Sequence, residues 1–295
     1  SPEQMPDQGD GQNLGIRADR GRPRSVRDRH AARAQGVVDQ DKDVDKQVGQ
    51  WPQWDGPPWQ GVIAHSFSAC GGPLLSSQPT SCASGVRTLL ITHEHSDHLY
   101  LPNLEVRRAG FCATPLPTLH VYGSAGAIER IRSLPFPEEA LHLQTHIVRP
   151  FETWESDGYR ILALPARHGT PPLEPLFYAL SDGRVSLLYA HDTGPFPEET
   201  WAYLLNPPDG QRWRFDLVSL DSTMGLLERP GTTHMTLAQV REHRDRLQAA
   251  GLLAPGARVI ANHFSHNGTP SYRALVEHLA GSGLEPAYDG LTVVL

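Results

Sequence analysis

The segment Thr92–His98 concentrates possible metal ligands in a short stretch of the chain. It reads Thr-His-Glu-His-Ser-Asp-His and follows directly on the apolar run Val86–Ile91. A β-branched apolar run of this length is typical of a buried strand, so we expect the strand to end in a ligand-bearing loop. Imidazole nitrogens and a carboxylate are ligands for Zn²⁺, Fe or Mn²⁺. The sequence therefore predicts a metal site at this strand end.

The spacing within this segment indicates two ions. His93 and His95 alternate, so they can point to the same side of an extended chain. Asp97 and His98, beyond a bend, can then address a second ion. Four ligands are too few for two ions, so further ligands are expected later in the chain.

Three later strand-like runs each end in a suitable ligand. His168 follows the run Leu162–Leu164, Asp192 follows Leu187–Ala190, and His263 follows Val259–Asn262. Strand ends on a rigid scaffold are a usual place for side chains that assemble a site from distant positions. We therefore expect these three residues to join the first segment in a shallow cleft that holds two metals.

This ordered ligand set resembles that of the metallo-β-lactamase superfamily. Within it, residues 86–295 resemble the phosphoribosyl cyclic phosphate phosphodiesterases, which form the PhnP-like branch. The matching pieces are the Leu-Leu-x-Thr-His start at 89–93, and the segments His191–Gly194, Asn262–His266 and Tyr288–Gly290. The resemblance implies an α/β protein with the metallo-β-lactamase fold, an αββα sandwich of two mixed sheets flanked by helices.

The resemblance also implies how the ligands are divided between two divalent ions, Zn²⁺ or Mn²⁺ with Fe as a further option. One ion would be bound by His93, His95 and His168. The other would be bound by Asp97, His98 and His263. Asp192 would bridge both ions.

Three further residues receive roles near the metals. The resemblance implies that His234, in the segment Thr232–Leu237, is the general acid that protonates the departing sugar oxygen, and Asp97 is counted with it as catalytic. A histidine suits this role because it titrates near neutral pH. His266 would bind a phosphate oxygen of the substrate. Asp221, just after a strand-like run, is expected to orient a ligand histidine.

These residues favour a dinuclear phosphodiesterase that acts on a small cyclic ribose phosphate or nucleotide. Two ions about 3.5–4 Å apart can hold a bridging hydroxide as nucleophile and neutralise charge on a phosphoryl oxygen. The alternatives are an RNA phosphodiesterase of the tRNase Z type, a thioester or lactone hydrolase, and a degenerate metal-binding protein without catalysis. A β-lactamase is disfavoured because that subgroup usually has Cys at the place of Asp192 and is secreted.

The composition of the chain limits which binding partners and which cellular compartment are expected. The formal net charge of −7 argues against a broad surface for nucleic acid, whereas a small phosphorylated substrate can bind at the metals. The three cysteines form no CxxC pair, which is typical of a reduced, cytoplasmic chain. No apolar run approaches the roughly 18 residues of a membrane span. We expect no membrane partner, and a homodimer is compatible with the sequence.

The N-terminal part of the chain differs from the rest. Residues 1–55 contain seven arginines between Arg17 and Arg33 and show no apolar period, so we predict a disordered or atypical segment. Residues 56–295 are predicted to form one hydrolase domain, atypical up to about 85, where only Gly61–Ala64 is strand-like. We hypothesise that the part before 85 is out of frame or otherwise altered.

The remaining pattern alternates strands and helices, as α/β proteins do. The predicted strands are Val86–Ile91, Thr118–Tyr122, Tyr159–Leu164, Leu176–Leu180, Val185–Ala190, Phe215–Leu220, Val259–Asn262 and Leu291–Leu295. The predicted helices are Ala125–Ser133, Thr236–Ala250 and Ser271–Leu279. Ser181–Arg184 is predicted to be a hairpin turn between two of the strands.

Overall fold

A computed structural model describes residues 62–64, 86–111, 116–266, 268–289 and 291–295 of the chain. The predicted atypical segment 1–55 lies outside the described residues, as does most of the stretch up to 85 to which the altered-frame hypothesis applies. The strand-like residues at 61–64 correspond to a short strand, Val62–Ala64.

The described chain forms two β-sheets. The four-stranded sheet has the order β1-β2-β3-β4 and consists of β1 (Val62–Ala64), β2 (Thr88–Leu90), β3 (Leu119–Gly123) and β4 (Leu143–Ile147). Its described strand pairs are all parallel. The seven-stranded sheet has the order β11-β10-β9-β8-β7-β6-β5 and mixes parallel with antiparallel pairs. Its strands are β5 (Thr153–Ser156), β6 (Tyr159–Pro165), β7 (Leu176–Ser181), β8 (Ser186–Ala190), β9 (Phe215–Asp221), β10 (Leu253–Asn262) and β11 (Glu285–Pro286).

Five described α-helices accompany the sheets. They are α1 (Pro102–Glu105), α2 (Ala125–Arg132), α3 (Glu198–Leu205), α4 (Leu237–Ala249) and α5 (Tyr272–Leu279). Local sequence starts two of them. Ser124 caps α2 by accepting the Ala127 N–H, and Thr236 forms a capping box with Gln239 at α4. None of the described helices combines the length and the apolar character that crossing a bilayer requires.

Three apolar clusters bind the layers together. One lies between α1, α2 and the four-stranded sheet, and includes Val121 and Ile128. A second lies between the two sheets, where Leu90 meets Ile161 and Tyr178. The largest lies between the seven-stranded sheet and α3, α4 and α5. Helix, sheet, sheet and helix therefore follow one another, which confirms the predicted αββα arrangement.

Most predicted elements are confirmed with shifts of a few residues at their ends. The Ser181–Arg184 turn joins β7 to the antiparallel β8 as predicted. The predicted strand Leu291–Leu295 is wrong, because these residues form no strand in the structure. The sequence analysis missed β4, β5, α1, α3 and β11. These elements are short, and their polar and apolar residues do not show a clear period of 2 or 3.6.

A direct hydrogen bond connects the two sheets just before the histidine motif. The buried Tyr178 hydroxyl donates to the carbonyl oxygen of Ile91 at 2.6 Å, at the end of β2. The Leu176 N–H donates to the carbonyl oxygen of Thr92, one residue further along, at 2.7 Å. The start of the histidine-rich segment is therefore held by a strand of the opposite sheet.

We predict that Tyr178→Phe lowers the free energy of unfolding by about 1 kcal/mol, because it removes a buried hydrogen bond and keeps the ring. Urea unfolding measures the difference. Tyr272→Phe is the matched control, since Tyr272 is 48 % exposed and should give the wild-type value. Equal stabilities of Tyr178→Phe and wild type would show that this bond does not fasten the sheets.

A buried histidine links α4 to the segment that follows Asp192. His243 donates through Nδ1 to the Gln239 carbonyl oxygen, and its Nε2 accepts the Phe196 N–H at 3.0 Å. Burial lowers the pKa of His243 below its usual value, and the bond to Phe196 needs the neutral ring. In the unfolded chain this imidazole has a pKa near 6.5, so at lower pH the unfolded state binds a proton that the folded state does not bind.

We therefore predict that His243 makes the folded state lose stability as the pH falls below about 6.5. Metal-free wild type and His243→Gln are compared by urea unfolding at a pH of about 7.5 and of about 5.5. The variant should be less stable at the higher pH and lose less stability on acidification. Parallel pH profiles of the two proteins would contradict this role.

Candidate metal centre

The candidate ligands meet because the strands that carry them end at one edge. β8, β9 and β10 are parallel neighbours, so their carboxyl ends lie side by side. Asp192 follows β8, Asp221 ends β9 and His263 follows β10. The backbone at Asp192 and at His263 is left-handed, with φ of 49° and 59°. Such strained positions are concentrated at functional sites, and here they mark two candidate ligands directly after their strands.

Three histidines form the first cluster. His95 Nδ1 lies 2.8 Å from His93 Nε2 and 3.2 Å from His168 Nε2. One ring nitrogen of each lies within 4.8 Å of the others, so the three could share an ion. His93 is buried, His168 is half-buried and His95 is exposed, which leaves this cluster open on one side. The structure thus brings together the three residues predicted for one ion.

Asp192 lies at the centre of the second group. Its Oδ2 is 2.8 Å from His98 Nε2 and 3.2 Å from His263 Nε2. Its Oδ1 is 4.0 Å from His168 Nδ1, a residue of the first cluster. His93, His98 and Asp192 also form a group within 4.8 Å. The carboxylate therefore faces both sets of histidines, as the predicted bridging position requires.

The surroundings of His93 and Asp192 favour the protonation states that metal ligands need. Burial, reinforced by the neighbouring His98, lowers the pKa of His93 to about 2, so its ring is neutral. Burial alone would raise the pKa of Asp192, but the attraction of His263 and His98 outweighs it and lowers the pKa well below the usual range. Neutral imidazoles and an ionised carboxylate are the forms that bind a metal.

A further observation shows that the residues of this centre suit divalent metal ions. Asp192 Oδ2 is buried and lies 2.8 Å from His98 Nε2 and 3.2 Å from His263 Nε2. A buried carboxylate needs close partners, and a cation bound among these atoms would supply them. The nitrogen and oxygen donor set suits Zn²⁺, Mn²⁺ or Fe. His93, His95, His98, His168, Asp192 and His263 would hold the ions.

Asp97 lies beside this centre rather than within its tight groups. Its Oδ2 is 3.4 Å from His98 Nε2, and its side chain is 73 % exposed. The three groups of ligand atoms within 4.8 Å among the described residues do not include it. Its role as ligand and catalytic residue stays a prediction.

Asp221 connects His234 to the centre. The carboxylate is fully buried, and its Oδ1 accepts the backbone N–H groups of Thr223 and Met235. Its Oδ2 is 3.0 Å from His234 Nδ1, which in turn is 3.8 Å from Asp192 Oδ1. His234, Asp221, Asp192 and His263 therefore form a third group within 4.8 Å. The sequence indicated a supporting role for Asp221, but not that it holds His234.

Two glycines allow the His234 segment to come this close. A Cβ on Gly194 would lie 1.9 Å from the Thr232 carbonyl oxygen, and a Cβ on Gly231 would lie 1.8 Å from the His234 carbonyl oxygen. A side chain at Gly194 would push the two loops apart, and one at Gly231 would open the turn formed by residues 231–234. Gly194 thus allows the close approach of residues 231–234 to the loop after β8.

Helix α2 holds the first ligand segment from the other side. Glu94, between two ligand histidines, places its Oε1 2.6 Å from where a Cβ on Gly126 would be. The Arg130 guanidinium donates to the Glu94 carbonyl oxygen. A carboxylate is favoured in the first turn of a helix, so α2 and this segment stabilise each other.

Two other histidines lie apart from the ligands. His266 is exposed, and none of the hydrogen bonds described at the centre involves it, so its role toward phosphate stays a prediction. His191, although adjacent to Asp192, contacts Ser219 Oγ through Nε2 at 2.7 Å. His191 therefore contacts a side chain of β9.

The chain resembles known proteins in sequence pattern and in fold. A family model described as "Beta-lactamase superfamily domain" matches residues 66–264. The metallo-beta-lactamase fold protein YhfI from Bacillus subtilis is 16 % identical, with a TM-score of 0.53 over 78 % of this chain and 85 % of that chain. A new diphosphatase from the PhnP family is 22 % identical, with a TM-score of 0.50 over 70 % of this chain and 69 % of that chain. No curated protein matches the chain in sequence. The chain thus has the metallo-β-lactamase fold.

We predict that the purified protein holds about two divalent ions per chain, as measured by elemental analysis after dialysis. Asp192→Ala should lose most of both ions, because the carboxylate faces both histidine groups. His93→Ala should lose about one. His278→Ala is the control, since His278 is exposed on α5 and should retain the wild-type content. Unchanged metal content in Asp192→Ala would contradict the shared position of this carboxylate.

Proposed function

We propose that this chain, which belongs to the β-lactamase superfamily domain family, is a dinuclear-metal-dependent phosphodiesterase. Its substrate would be a small cyclic ribose phosphate or nucleotide. The observation that carries the proposal is the position of His234, held by Asp221 and 3.8 Å from Asp192. This arrangement sets a proton donor beside a centre that could hold two ions.

The ligand set is proposed as the sequence predicted it. His93, His95 and His168 would hold one ion, while Asp97, His98 and His263 would hold the other, with Asp192 between them. Bound ions would supply an activated water and would neutralise charge that grows on the phosphoryl oxygens. Asp97 is proposed to complete the second set because its Oδ2 lies 3.4 Å from Nε2 of the buried His98.

His234 is proposed to protonate the leaving oxygen. Its Nδ1 is held by the fully buried Asp221, which leaves Nε2 as the nitrogen that can deliver a proton. Asp221 is itself fixed by two backbone N–H groups, so the ring is presented in one orientation. A poor leaving group such as a ribose hydroxyl needs such a donor, whereas a thiolate does not. This favours a phosphodiester over a thioester.

The charge of the chain supports a small substrate. A formal net charge of −7 disfavours a long nucleic-acid partner, whereas phosphate can bind at a metal centre. His266 is proposed to donate a hydrogen bond to a phosphate oxygen, since it follows the ligand His263 by three residues and is exposed.

We predict that the metal-loaded protein hydrolyses bis(p-nitrophenyl) phosphate and ribose 2′,3′-cyclic phosphates, and that chelation abolishes both activities. His234→Ala should lower kcat by about 10²–10⁴-fold on the ribose ester, because the alkoxide then leaves without a proton. The loss should be smaller on bis(p-nitrophenyl) phosphate, whose leaving group is acidic. His278→Ala should have wild-type kcat.

Metal content decides how the result is interpreted. If His234→Ala keeps its ions and loses activity, the histidine acts on the substrate. If it loses an ion, His234 is a ligand and the assignment as acid is wrong. Turnover of thioesters or lactones without any phosphodiester turnover would overturn the proposed substrate class.

A further inference from the structure

A second polar cleft lies at the opposite ends of the strands that carry the metal centre. It has a volume of about 390 Å³ and is lined by Arg184, Arg212, Arg214, Ser181, Ser186 and Asp216, among others. These residues lie at the end of β7 and at the starts of β8 and β9, whereas the candidate ligands follow the other ends of β8 and β9. Strands of five to seven residues put roughly 16–23 Å between the two sites.

Three arginines converge on this cleft from two chain segments. Arg184 belongs to the β7–β8 turn, and Arg212 and Arg214 precede β9. Burial alternates along the latter segment, because Trp213 and Phe215 are buried while both arginines are exposed. Arg212 and Arg214 therefore extend from the same side, and the Arg212 guanidinium is anchored by donating to the Ala250 carbonyl oxygen at 3.1 Å.

The carboxylates near the cleft are already engaged by backbone groups. Asp182 Oδ1 accepts the N–H groups of Arg184 and Val185, and Asp216 Oδ2 accepts the N–H of Ser186 at 2.8 Å. Arg184 reaches Asp182 Oδ2 only at 3.6 Å. No ion pair involves Arg212 or Arg214 among the residues that the structure describes. The cleft thus has an excess of positive charge in a chain whose net charge is −7.

We infer that this cleft binds a small anion with two linked phosphoryl groups, independently of the metal centre. Guanidinium groups are planar forks that bind phosphate oxygens in pairs, and three of them along one cleft can contact two linked phosphoryl groups at once. The Ser186 hydroxyl, which contacts Ser181 Oγ at 3.0 Å, adds a polar group to the lining. The separation from the metals exceeds a Debye length at physiological salt, so the two sites fill separately.

Inorganic pyrophosphate tests the inference on the full-length, metal-loaded protein by isothermal titration. We expect two binding sites in wild type, one at the metals and one at the cleft. The double variant Arg212→Gln/Arg214→Gln should weaken the second site by roughly tenfold for each arginine removed. Its turnover of bis(p-nitrophenyl) phosphate should be unchanged, since neither residue lies at the metal centre.

Matched controls distinguish specific binding in the cleft from a general effect of removing positive charge. The variant Arg241→Gln/Arg273→Gln removes the same charge from exposed positions on α4 and α5, and it should retain both sites. Asp192→Ala should lose the metal-linked site and keep the cleft site. Equal weakening by both arginine pairs, or a wild-type protein whose pyrophosphate binding disappears entirely with Asp192→Ala, would overturn the inference.

Discussion

The buried carboxylate of Asp192, surrounded by histidine side chains, is the constraint on which the structure depends. Burial opposes ionisation of this group, and only the histidines around it restore the charge. A buried negative charge is costly unless partner groups lie close to it, so every segment that supplies a histidine must be placed accurately. The rest of the fold provides that accuracy. Two sheets, three strand ends and α2 all fix groups within a few ångströms of this carboxylate.

The contacts that support the candidate metal centre fix the backbone segments that carry the ligands, and most of them do not involve the ligand side chains. Tyr178 fastens the end of β2 to the opposite sheet, Gly194 allows two loops to approach closely, and Gly231 allows the tight turn that leads to His234. These contacts are buried and leave little room for adjustment, because cores are close-packed. The positions of side chains at distant strand ends are therefore set by the packing of the fold. Such support from packed elements is what a precise functional site requires.

The two ends of the same strands have opposite electrostatic characters. At the carboxyl ends of β8 and β9, histidines and buried aspartates make a site for cations. At their amino ends, arginines from the β7–β8 turn and the segment before β9 line a polar cleft. A parallel arrangement gathers chain segments of one direction at each edge, so distinct chemistry can develop at the two edges without mutual interference.

The sequence alone determined the residue types and the order of the candidate ligands. The spacing of His93, His95 and His98, and the strand-like runs before His168, Asp192 and His263, are local patterns that period and residue type reveal. The helix limits at α2 and α4 were predictable for the same reason, since Ser124 and Thr236 are local caps. Only the tertiary structure decided that Asp221 holds His234, that Asp97 lies at the edge of the centre, and that three arginines share a cleft. These relations join residues whose proximity depends on strand order and register, and neither is encoded in the neighbouring sequence.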